Sequence, residues 1–495
     1  MSENDSQSFM ELIIKFVNDN SNLVYDQNNT PYSEIMRGNQ CQIISMHSQA
    51  FNDWIRHGFL LTYNRALRNH DIKDAVEHLA CMAKLTGKQV KTALRLAYDG
   101  NDCYVNTANK KGEVIKITKD GWQVEPNPSV YFVESNTAEA LPIPKQEGTL
   151  DLLRDKYLNL GSDDDWYMLV VYLVAAQFDL PSKPFILLNG EQGSAKSTTT
   201  RVIRELIDPS RVKAQSTPSS MNDLMLAALN NALVCIDNAS KLSQKVMDTA
   251  CQLCTGAGFR KRRLYTDTDE IAFEITRLLI INGIDADIIT APDLLSRCIQ
   301  LVLPPIDKSK RLTESVFWQE FEDDRPLILG AIYDIVAKVI ASKDTVELNE
   351  STRLTDFCRI GVAVEQVMGW QEGSFMNAMN KMQAEALAVA LDYDATATAI
   401  IKVMEKQSSW KGTAEKLLSQ LNLVSDENLK RHSKWPHSTR SLGIRLVKIM
   451  PALKEHGIIV EKTKSGDRHI SITNENYVPS APSCTVTKFA QFAAQ

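Results

Sequence analysis

One stretch, LLNGEQGSAKSTTTRVI at residues 187–203, constrains the fold of this chain more than any other. The apolar residues FILLN that lead into the first glycine have the pattern of a buried strand, and KSTTTRVIRELI has that of a helix. Gly190 and Gly193 fall between the two. A strand, a glycine-rich turn and a helix N-terminus gather backbone N–H groups and the positive end of a helix dipole, which suits a polyphosphate. The stretch therefore predicts a phosphate-binding loop in a parallel α/β sheet.

The same loop predicts which residues hold ATP and Mg²⁺, the two expected cofactors. Lys196 is expected to reach the β- and γ-phosphates, and the Ser197 hydroxyl to bind Mg²⁺. The residues expected to line the nucleotide are Gly190, Glu191, Gln192, Gly193, Ser194, Ala195, Lys196, Ser197 and Thr198. Ala195 stands where glycine is usual, and its methyl group is expected to be tolerated if φ there is negative. A chance turn of small residues is the alternative, but it does not explain the strand and helix on either side.

Two further strand-like segments supply polar residues at their ends. ALVCIDNAS ends in Asp237, expected to hold Mg²⁺ through water, and Asn238 follows where many ATPases have a water-orienting glutamate. This leaves Glu191 as the candidate base. RLLIINGID ends in Asn282, which is expected to contact the γ-phosphate or the attacking water. Arg297, in DLLSRC, is expected to lie on a helix. Its expected role is to stabilise transition-state charge at the nucleotide of a neighbouring subunit. The alternative is that Arg297 forms a surface salt bridge.

A basic hairpin is predicted between the second and third strands. In GAGFRKRRLYTDTDEIAFEI, two β-rich runs flank TDTD, and one run carries Arg260, Lys261, Arg262 and Arg263. In ring ATPases that move nucleic acid, a hairpin here grips backbone phosphates in the central channel, which gives affinity without sequence preference. A solvated basic strand, or one paired with the acidic turn, is the alternative.

The C-terminal part is predicted to be a winged helix. HSTRSLGIRLVKIMPALKEHG has the pattern of an amphipathic helix capped near Ser438 and ended by Gly457. The following IIVEKTKSGDRHISI predicts a β-hairpin whose tip carries Lys462, Lys464 and Arg468. The residues expected to contact DNA are Arg440, Arg445 and Lys448 on the helix, and Lys464 and Arg468 at the hairpin tip. Winged helices also bind proteins, so both roles remain open.

Composition limits the class of protein. The formal net charge of −6 argues against a chain coated in nucleic acid, so DNA contacts are expected from local basic patches. The acidic N-terminus lacks the pattern of a signal peptide, and the longest apolar run, WYMLVVYLVAAQF, is shorter than the roughly 20 residues that span a bilayer. Nine scattered cysteines, with Cys251 and Cys254 on a buried helix face, suit a reducing cytoplasm. A cytoplasmic protein without membrane contact is expected.

The pattern along the chain predicts five segments. Residues 1–148 form an N-terminal α+β module that ends in the linker ALPIPKQEG. Residues 149–305, where strands and helices alternate, form the α/β core, which is a parallel sheet flanked by helices. The expected remainder is a helical lid at 306–390, a winged-helix-like domain at 391–475 and a flexible tail at 476–495.

Taken in order, these motifs resemble those of a known family. GEQGSAKSTTTRVIRELIDPS, DNASKLS, LCTGAGFRKRRLYTDTDE, INGID and LLSRCIQLVLPPI are similar to segments of ATP-binding proteins from prophages and genomic islands. That family is related to the superfamily 3 helicases and to the ATPase part of phage primase-helicases, within the P-loop AAA+ class. In that family, alanine is a known residue before the loop lysine, as Ala195 is here. The pair Asp-Asn, here Asp237 and Asn238, is likewise known at the end of the second strand.

The resemblance implies an ATPase that assembles as a ring, a hexamer, and translocates on single-stranded or forked DNA during replication of a mobile genetic element. A helicase is therefore expected, with a primase or initiator protein as a further partner. The alternative is an ATP-driven regulatory switch in element maintenance or anti-phage defence, in which the winged helix binds protein. A nucleotide binder without turnover is a third interpretation, motivated by Asn238.

Overall fold

The fold is described from a computed structural model. It covers the chain except for residues 1–7, 38–39, 127, 134, 240, 257, 263–269, 284–287, 290, 308, 310–312, 349–351, 393, 432–434, 464–468 and 478–495. The chain divides into two compact units, residues 1–383 and 384–495. None of the helices within the described residues is long and apolar enough to cross a bilayer.

The chain begins with a helix-covered sheet. A capping box joins Ser8 and Glu11 at the start of the first helix, where the two residues satisfy backbone N–H groups that have no partner within the helix. Three helices bury their apolar faces in one cluster with β2 and β3, and the four strands are ordered β3-β2-β1-β4. The elements are α1 (Phe9–Asn20), β1 (Ser21–Asp26), β2 (Pro31–Arg37), β3 (Gln40–Ser45), α2 (Gln49–Tyr63), α3 (Asn69–Thr86) and β4 (Lys88–Val90).

A second, antiparallel sheet follows where the sequence predicts strands. Its order is β6-β7-β8-β9, and a short parallel pair, β5 with β10, lies beside it in sequence. The inner residues of β7 and β8 belong to the same buried apolar cluster as the central part of the chain. The strands are β5 (Thr92–Ala93), β6 (Leu96–Asp99), β7 (Asp102–Asn106), β8 (Val114–Thr118), β9 (Gly121–Glu125) and β10 (Tyr131–Phe132).

The predicted parallel sheet is present in the centre of the chain. Its order is β12-β15-β11-β16, and all three pairings are parallel, so that β15 lies between the strand before the phosphate loop and the strand of Asp237. The strands are apolar and buried because helices cover the sheet. The elements are α4 (Leu150–Tyr157), α5 (Asp163–Ala175), β11 (Phe185–Asn189), α6 (Lys196–Ile207), α7 (Met221–Asn230), β12 (Leu233–Ala239), α8 (Gln244–Thr255), β13 (Gly258–Arg262), β14 (Glu270–Glu274), β15 (Leu278–Gly283), α9 (Pro292–Leu295) and β16 (Cys298–Val302).

Helices follow the sheet, as the sequence predicts. The long apolar run of the sequence is α5, which is capped by Ser162 and buried against this helical layer. The helices are α10 (Glu314–Ser342), a 3₁₀ turn (Lys343–Thr345), α11 (Thr355–Met368) and α12 (Ser374–Asp392). The division between the two units falls within α12.

The second unit combines helices with a three-stranded antiparallel sheet of order β17-β19-β18. The long helix begins after Ser438, whose hydroxyl accepts a hydrogen bond from Ser441 N, and ends before Gly457 in the left-handed region at φ 78°. This agrees with the predicted capping and with the predicted hairpin that follows. The elements are α13 (Ala395–Met404), β17 (Ser409–Thr413), α14 (Ala414–Val424), α15 (Glu427–Lys430), α16 (Thr439–Glu455), β18 (Ile458–Lys462) and β19 (His469–Asn474).

Candidate nucleotide site

The phosphate loop (residues 190–197) joins the carboxyl end of β11 to the first turn of α6. Gly190 has φ 156°, and a Cβ there would lie 2.5 Å from the Leu303 carbonyl oxygen and 2.6 Å from Ser194 Oγ. Gly193 also has a positive φ, 84°. Backbone therefore packs so closely around Gly190 that only glycine fits, which is the close approach expected of a phosphate-binding turn.

Ala195 corrects one expectation. Its φ is +67° and its ψ 27°, the left-handed region, so the negative φ on which tolerance of the methyl group depended is not present. The physical reason is that Ala195 is the cap of α6: its carbonyl already accepts the first helical hydrogen bond, from Thr199 N at 2.8 Å, while the preceding chain must turn back towards β11. An L-residue in this region costs roughly 1–2 kcal/mol, so the methyl group is a source of strain and not only of crowding.

Three side chains of the site converge at the carboxyl ends of β11 and β12. The Lys196 ammonium donates to the carbonyl oxygens of Gly190, at 2.6 Å, and Glu191, at 2.8 Å. Desolvation lowers the pKa of Lys196, and the nearby Asp237 carboxylate opposes that shift. The Ser197 hydroxyl donates to Asp237 Oδ1 at 2.9 Å.

This donor set fits a magnesium nucleotide. A hydroxyl and a carboxylate within hydrogen-bond distance are hard oxygen ligands of the kind that Mg²⁺ uses together with phosphate oxygens and water. Lys196 and the N-terminus of α6 supply positive charge for the phosphates. Glu191 and Gln192 are exposed on the loop, and Thr198 is half-buried in the first turn of the helix.

Asn282 and Asn238 are brought together by the strand order. Asn282 is 1% exposed; its Oδ1 accepts from Asn238 N at 2.9 Å and its Nδ2 donates to Thr200 Oγ1 at 2.7 Å. Asn238 has φ 55°, where the β12–β15 register shifts, and its side chain is exposed. Asn282 thus ties β12, β15 and α6 together, and its contact with a γ-phosphate stays a prediction. Sequence reasoning missed Thr200, although its position in KSTTT, one turn after Lys196, was a usable signal.

Arg297 lies elsewhere, and not on a helix. It occupies the turn between α9 and β16, because α9 ends at Leu295 and Cys298 already pairs in the sheet. Its carbonyl accepts from Phe185 N, at the amino end of β11, so it lies at the edge of the sheet opposite the phosphate loop. Its guanidinium pairs with Asp293 at 3.1 Å, and Arg353 pairs with the same carboxylate. A role at a neighbouring subunit's nucleotide stays a prediction.

Two family models match the chain, and one of them includes this site. Residues 152–382 match “Actinomycete integrative conjugative element replication protein”, and residues 396–483 match “AICE RepA C-terminal domain”. Over these two segments the chain is similar to RepA replication proteins. Both models describe replication proteins of a mobile genetic element, in agreement with the expected process. The RepA match includes the phosphate loop, Asp237 and Asn282.

Solved structures resemble the chain more distantly. The apo structure of the NrS-1 C-terminal region covers 95% of this chain and 99% of its own, with 10% identity and a TM-score of 0.40. The match to a JCV helicase with a bound ligand covers 45% of this chain and 66% of the helicase chain, with 13% identity and a TM-score of 0.21. Scores this low carry no argument about this chain. No protein of curated function matches in sequence.

Within the RepA segment, the predicted basic hairpin is present as backbone. β13 and β14 pair antiparallel, with Arg260 opposite Ala272, Lys261 opposite Ile271 and Arg262 opposite Glu270. Arg263 and the acidic tip lie outside the described residues. The role of this hairpin in DNA contact stays a prediction.

Within the RepA C-terminal segment, the predicted DNA-binding residues differ in their surroundings. Arg440 and Lys448 are exposed on α16. Arg445 is half-buried and forms an ion pair with Asp394, whose side chain also caps α13. The Lys462 ammonium donates to the Gly443 carbonyl oxygen at 2.8 Å. Lys464 and Arg468 lie outside the described residues.

Proposed function

We propose that the chain is an ATP-hydrolysing, ring-forming motor on DNA that serves replication of its mobile element. The observation that carries this proposal is the convergence of Lys196, Ser197 and Asp237 at the carboxyl edge of the parallel sheet. The match to a family of replication proteins suggests the process in which such a motor would act. The wider inference to a hexameric helicase rests on the resemblance of the motifs.

Each residue of the site has a role in the proposed reaction. Lys196 would hold the β- and γ-phosphates, and Ser197 and Asp237 would hold Mg²⁺, which neutralises charge on the transferred phosphoryl group. Asn282 would fix the strand tips on which these groups lie. Arg297 is too far along the sheet to serve its own loop, so it would act on a neighbouring subunit.

The first test measures ATP turnover with and without single-stranded DNA. Lys196→Ala and Asp237→Asn are each expected to lower turnover by about a hundredfold or more, because each removes charge that contacts the phosphates or the metal. The matched control is Lys245→Ala, which removes an exposed lysine from α8. Turnover unchanged by Lys196→Ala would refute the site, and turnover unaffected by DNA would refute the motor.

The second test asks whether Arg297 acts between subunits. Arg297→Ala and Lys196→Ala chains are each expected to be inactive alone. Mixing them should restore part of the turnover, because some interfaces then join an intact loop to an intact arginine. Native mass measurement with a non-hydrolysable ATP analogue should show a ring. A monomer under these conditions, or mixing without rescue, would count against the ring.

A second candidate, an ATP-driven switch, is favoured by one observation. The residue after Asp237 is the exposed amide Asn238, so no carboxylate at this position orients a water molecule. A switch would hydrolyse ATP slowly, without stimulation by DNA, while still assembling with nucleotide. The turnover experiment therefore separates the two functions.

A further inference from the structure

A second concave site lies at the edge of the parallel sheet opposite the phosphate loop. It is a cavity of about 900 Å³, lined by residues 88–99 and 129–131 on one side and by core residues that include Lys183 and Arg277 on the other. Lys183 just precedes β11 and Arg277 just precedes β15. Because a five-residue strand spans roughly 16 Å, the cavity is well separated from the loop at the other end of β11. Its volume is in the range of small-ligand pockets.

Lys183 is a buried cation at the wall of this cavity. It is 8% exposed, and among the described residues no carboxylate lies within ion-pair distance of its ammonium. Burial lowers the pKa of Lys183 to about 8, with Asp179 opposing the shift from a greater distance and Arg277 adding to it. A buried ammonium without a partner is costly, so its retention at a cavity wall calls for a ligand.

Arg277 and Tyr98 add two further groups to the same wall. Arg277 Nε donates to the Ala228 carbonyl oxygen at 2.7 Å, and Arg277 Nη1 donates to the Thr276 carbonyl oxygen at 3.0 Å. Within the described part of the chain, no carboxylate forms an ion pair with Arg277. Burial lowers its pKa to about 10. The buried Tyr98 hydroxyl also has no hydrogen-bond partner within the described residues. Tyr98 and two cationic residues, Lys183 and Arg277, therefore line one cavity.

Several other charged groups of the cavity already have partners. Lys91 pairs with Asp179 at 3.3 Å, and both are exposed at the rim. Arg95 is 2% exposed and pairs with Asp208 at 3.0 Å. The Asp26 carboxylate accepts hydrogen bonds from the backbone N–H groups of residues 28 and 30. Asp99 accepts a hydrogen bond from Ser129 Oγ at 2.8 Å, and Lys88 is exposed on the lining. Among the described residues that line the cavity, Lys183 and Arg277 are the inner cations without a carboxylate partner.

We propose that this cavity binds a small phosphate-bearing ligand of about nucleotide size, with its phosphate against Lys183 and Arg277. Two cations suit a doubly charged phosphate better than a single carboxylate, and a guanidinium matches its oxygen geometry. Leu94, Leu229 and Ile275 line the rest of the cavity and offer apolar surface to an organic group. This site is separate from the ATPase, so its test is run without a working phosphate loop.

The experiment uses the full chain with Lys196→Ala, in EDTA, and measures binding of dTMP, pyrophosphate and inorganic phosphate by equilibrium dialysis. One dTMP is expected to bind per chain, more tightly than inorganic phosphate because of the apolar wall. Adding Lys183→Met should weaken dTMP binding by about tenfold to a hundredfold, the value of one charge-assisted hydrogen bond. Tyr98→Phe should weaken it less. The control Lys91→Met, at the exposed rim, should change it by less than about twofold.

A stability measurement separates a ligand-binding lysine from a structural one. Without ligand, Lys183→Met should raise the melting temperature, since it removes an unpaired buried charge; it should also abolish the rise that dTMP causes. The proposal is overturned if dTMP does not bind saturably, if Lys183→Met leaves its binding unchanged, or if inorganic phosphate binds as tightly. It is also overturned if Lys183→Met lowers the melting temperature or prevents folding, because the ammonium would then have a partner within the protein.

Discussion

Two residues beside the nucleotide site have left-handed backbones without being glycine. Ala195 has φ 67° and Asn238 has φ 55°. Asparagine tolerates this region well, because its short polar side chain can bond locally, whereas alanine does not. The strain is therefore concentrated at Ala195, between the loop and the helix that faces the phosphates. Strained backbone is commonly found at ligand-binding sites, where the surrounding structure maintains it.

We expect Ala195→Gly to stabilise the chain. Relief of the left-handed strain, roughly 1–2 kcal/mol, is partly offset by the greater freedom of glycine in the unfolded chain, about 0.5–1 kcal/mol. The free energy of unfolding in urea should rise by roughly 0.5–1 kcal/mol. Ala108→Gly, at φ 51° in a turn far along the chain from the loop, is the matched control and should stabilise similarly without altering ATP affinity. A loss of stability in Ala195→Gly would show that the loop does not need this backbone conformation.

At the scale of elements, α16 carries basic residues of two kinds, one in a structural ion pair and others exposed. Arg440 and Lys448 are exposed, while Arg445 pairs with the buried Asp394 that caps α13. One helix thus carries a charge that holds the second unit together and charges that are free to contact a partner. The sequence shows three basic residues at helical positions but not which of them the fold uses.

We expect Arg445→Ala to lower stability and Arg440→Ala to leave stability unchanged. Arg445→Ala leaves the buried Asp394 carboxylate without its counter-charge and should destabilise the second unit by about 2 kcal/mol, since two backbone N–H groups still solvate that carboxylate. Arg440→Ala and Lys448→Ala should leave the melting temperature unchanged. If α16 contacts DNA phosphates, each should lower the dependence of log affinity on log salt by about one. Equal destabilisation by all three variants would contradict this division.

At the scale of the whole molecule, two units have separate buried apolar clusters. The largest cluster of the first unit joins β7 and β8 to α5, the parallel sheet and α10. The cluster of the second unit joins α13, α14, α16 and the three-stranded sheet. The nucleotide site lies entirely within the first unit. Nucleotide binding should therefore stabilise the first unit only.

We expect scanning calorimetry to show two unfolding transitions. A non-hydrolysable ATP analogue with Mg²⁺, at 100 times its dissociation constant, should stabilise the first unit by about 2.7 kcal/mol and raise only its transition. Lys196→Ala should abolish that shift, and Arg445→Ala should lower only the other transition. One cooperative transition, or a ligand shift of both, would contradict independent unfolding.

The sequence by itself determined the local part of the site. Strand β11, the glycine loop, the start of α6 with Lys196 and Ser197, and the strand end with Asp237 all follow from hydrophobic periodicity and turn chemistry within short windows. The same is true of the caps of α16 and of the β13–β14 hairpin, whose residues are neighbours in the chain. Such features are predictable because the residues that contact each other are only a few positions apart in the sequence.

The tertiary structure decided everything that joins distant residues. Placing β15 between β11 and β12 brings Asn282 to the backbone of Asn238, 44 residues away, and to Thr200, 82 residues away. The pairing of Arg95 with Asp208, and the cavity that unites Tyr98 with Lys183 and Arg277, depend on how one sheet packs beside another. The left-handed backbone of Ala195 belongs here too, because the strand and the helix it joins are fixed by the core. Local patterns specify elements, but packing selects their neighbours and thereby the partners of each buried charge.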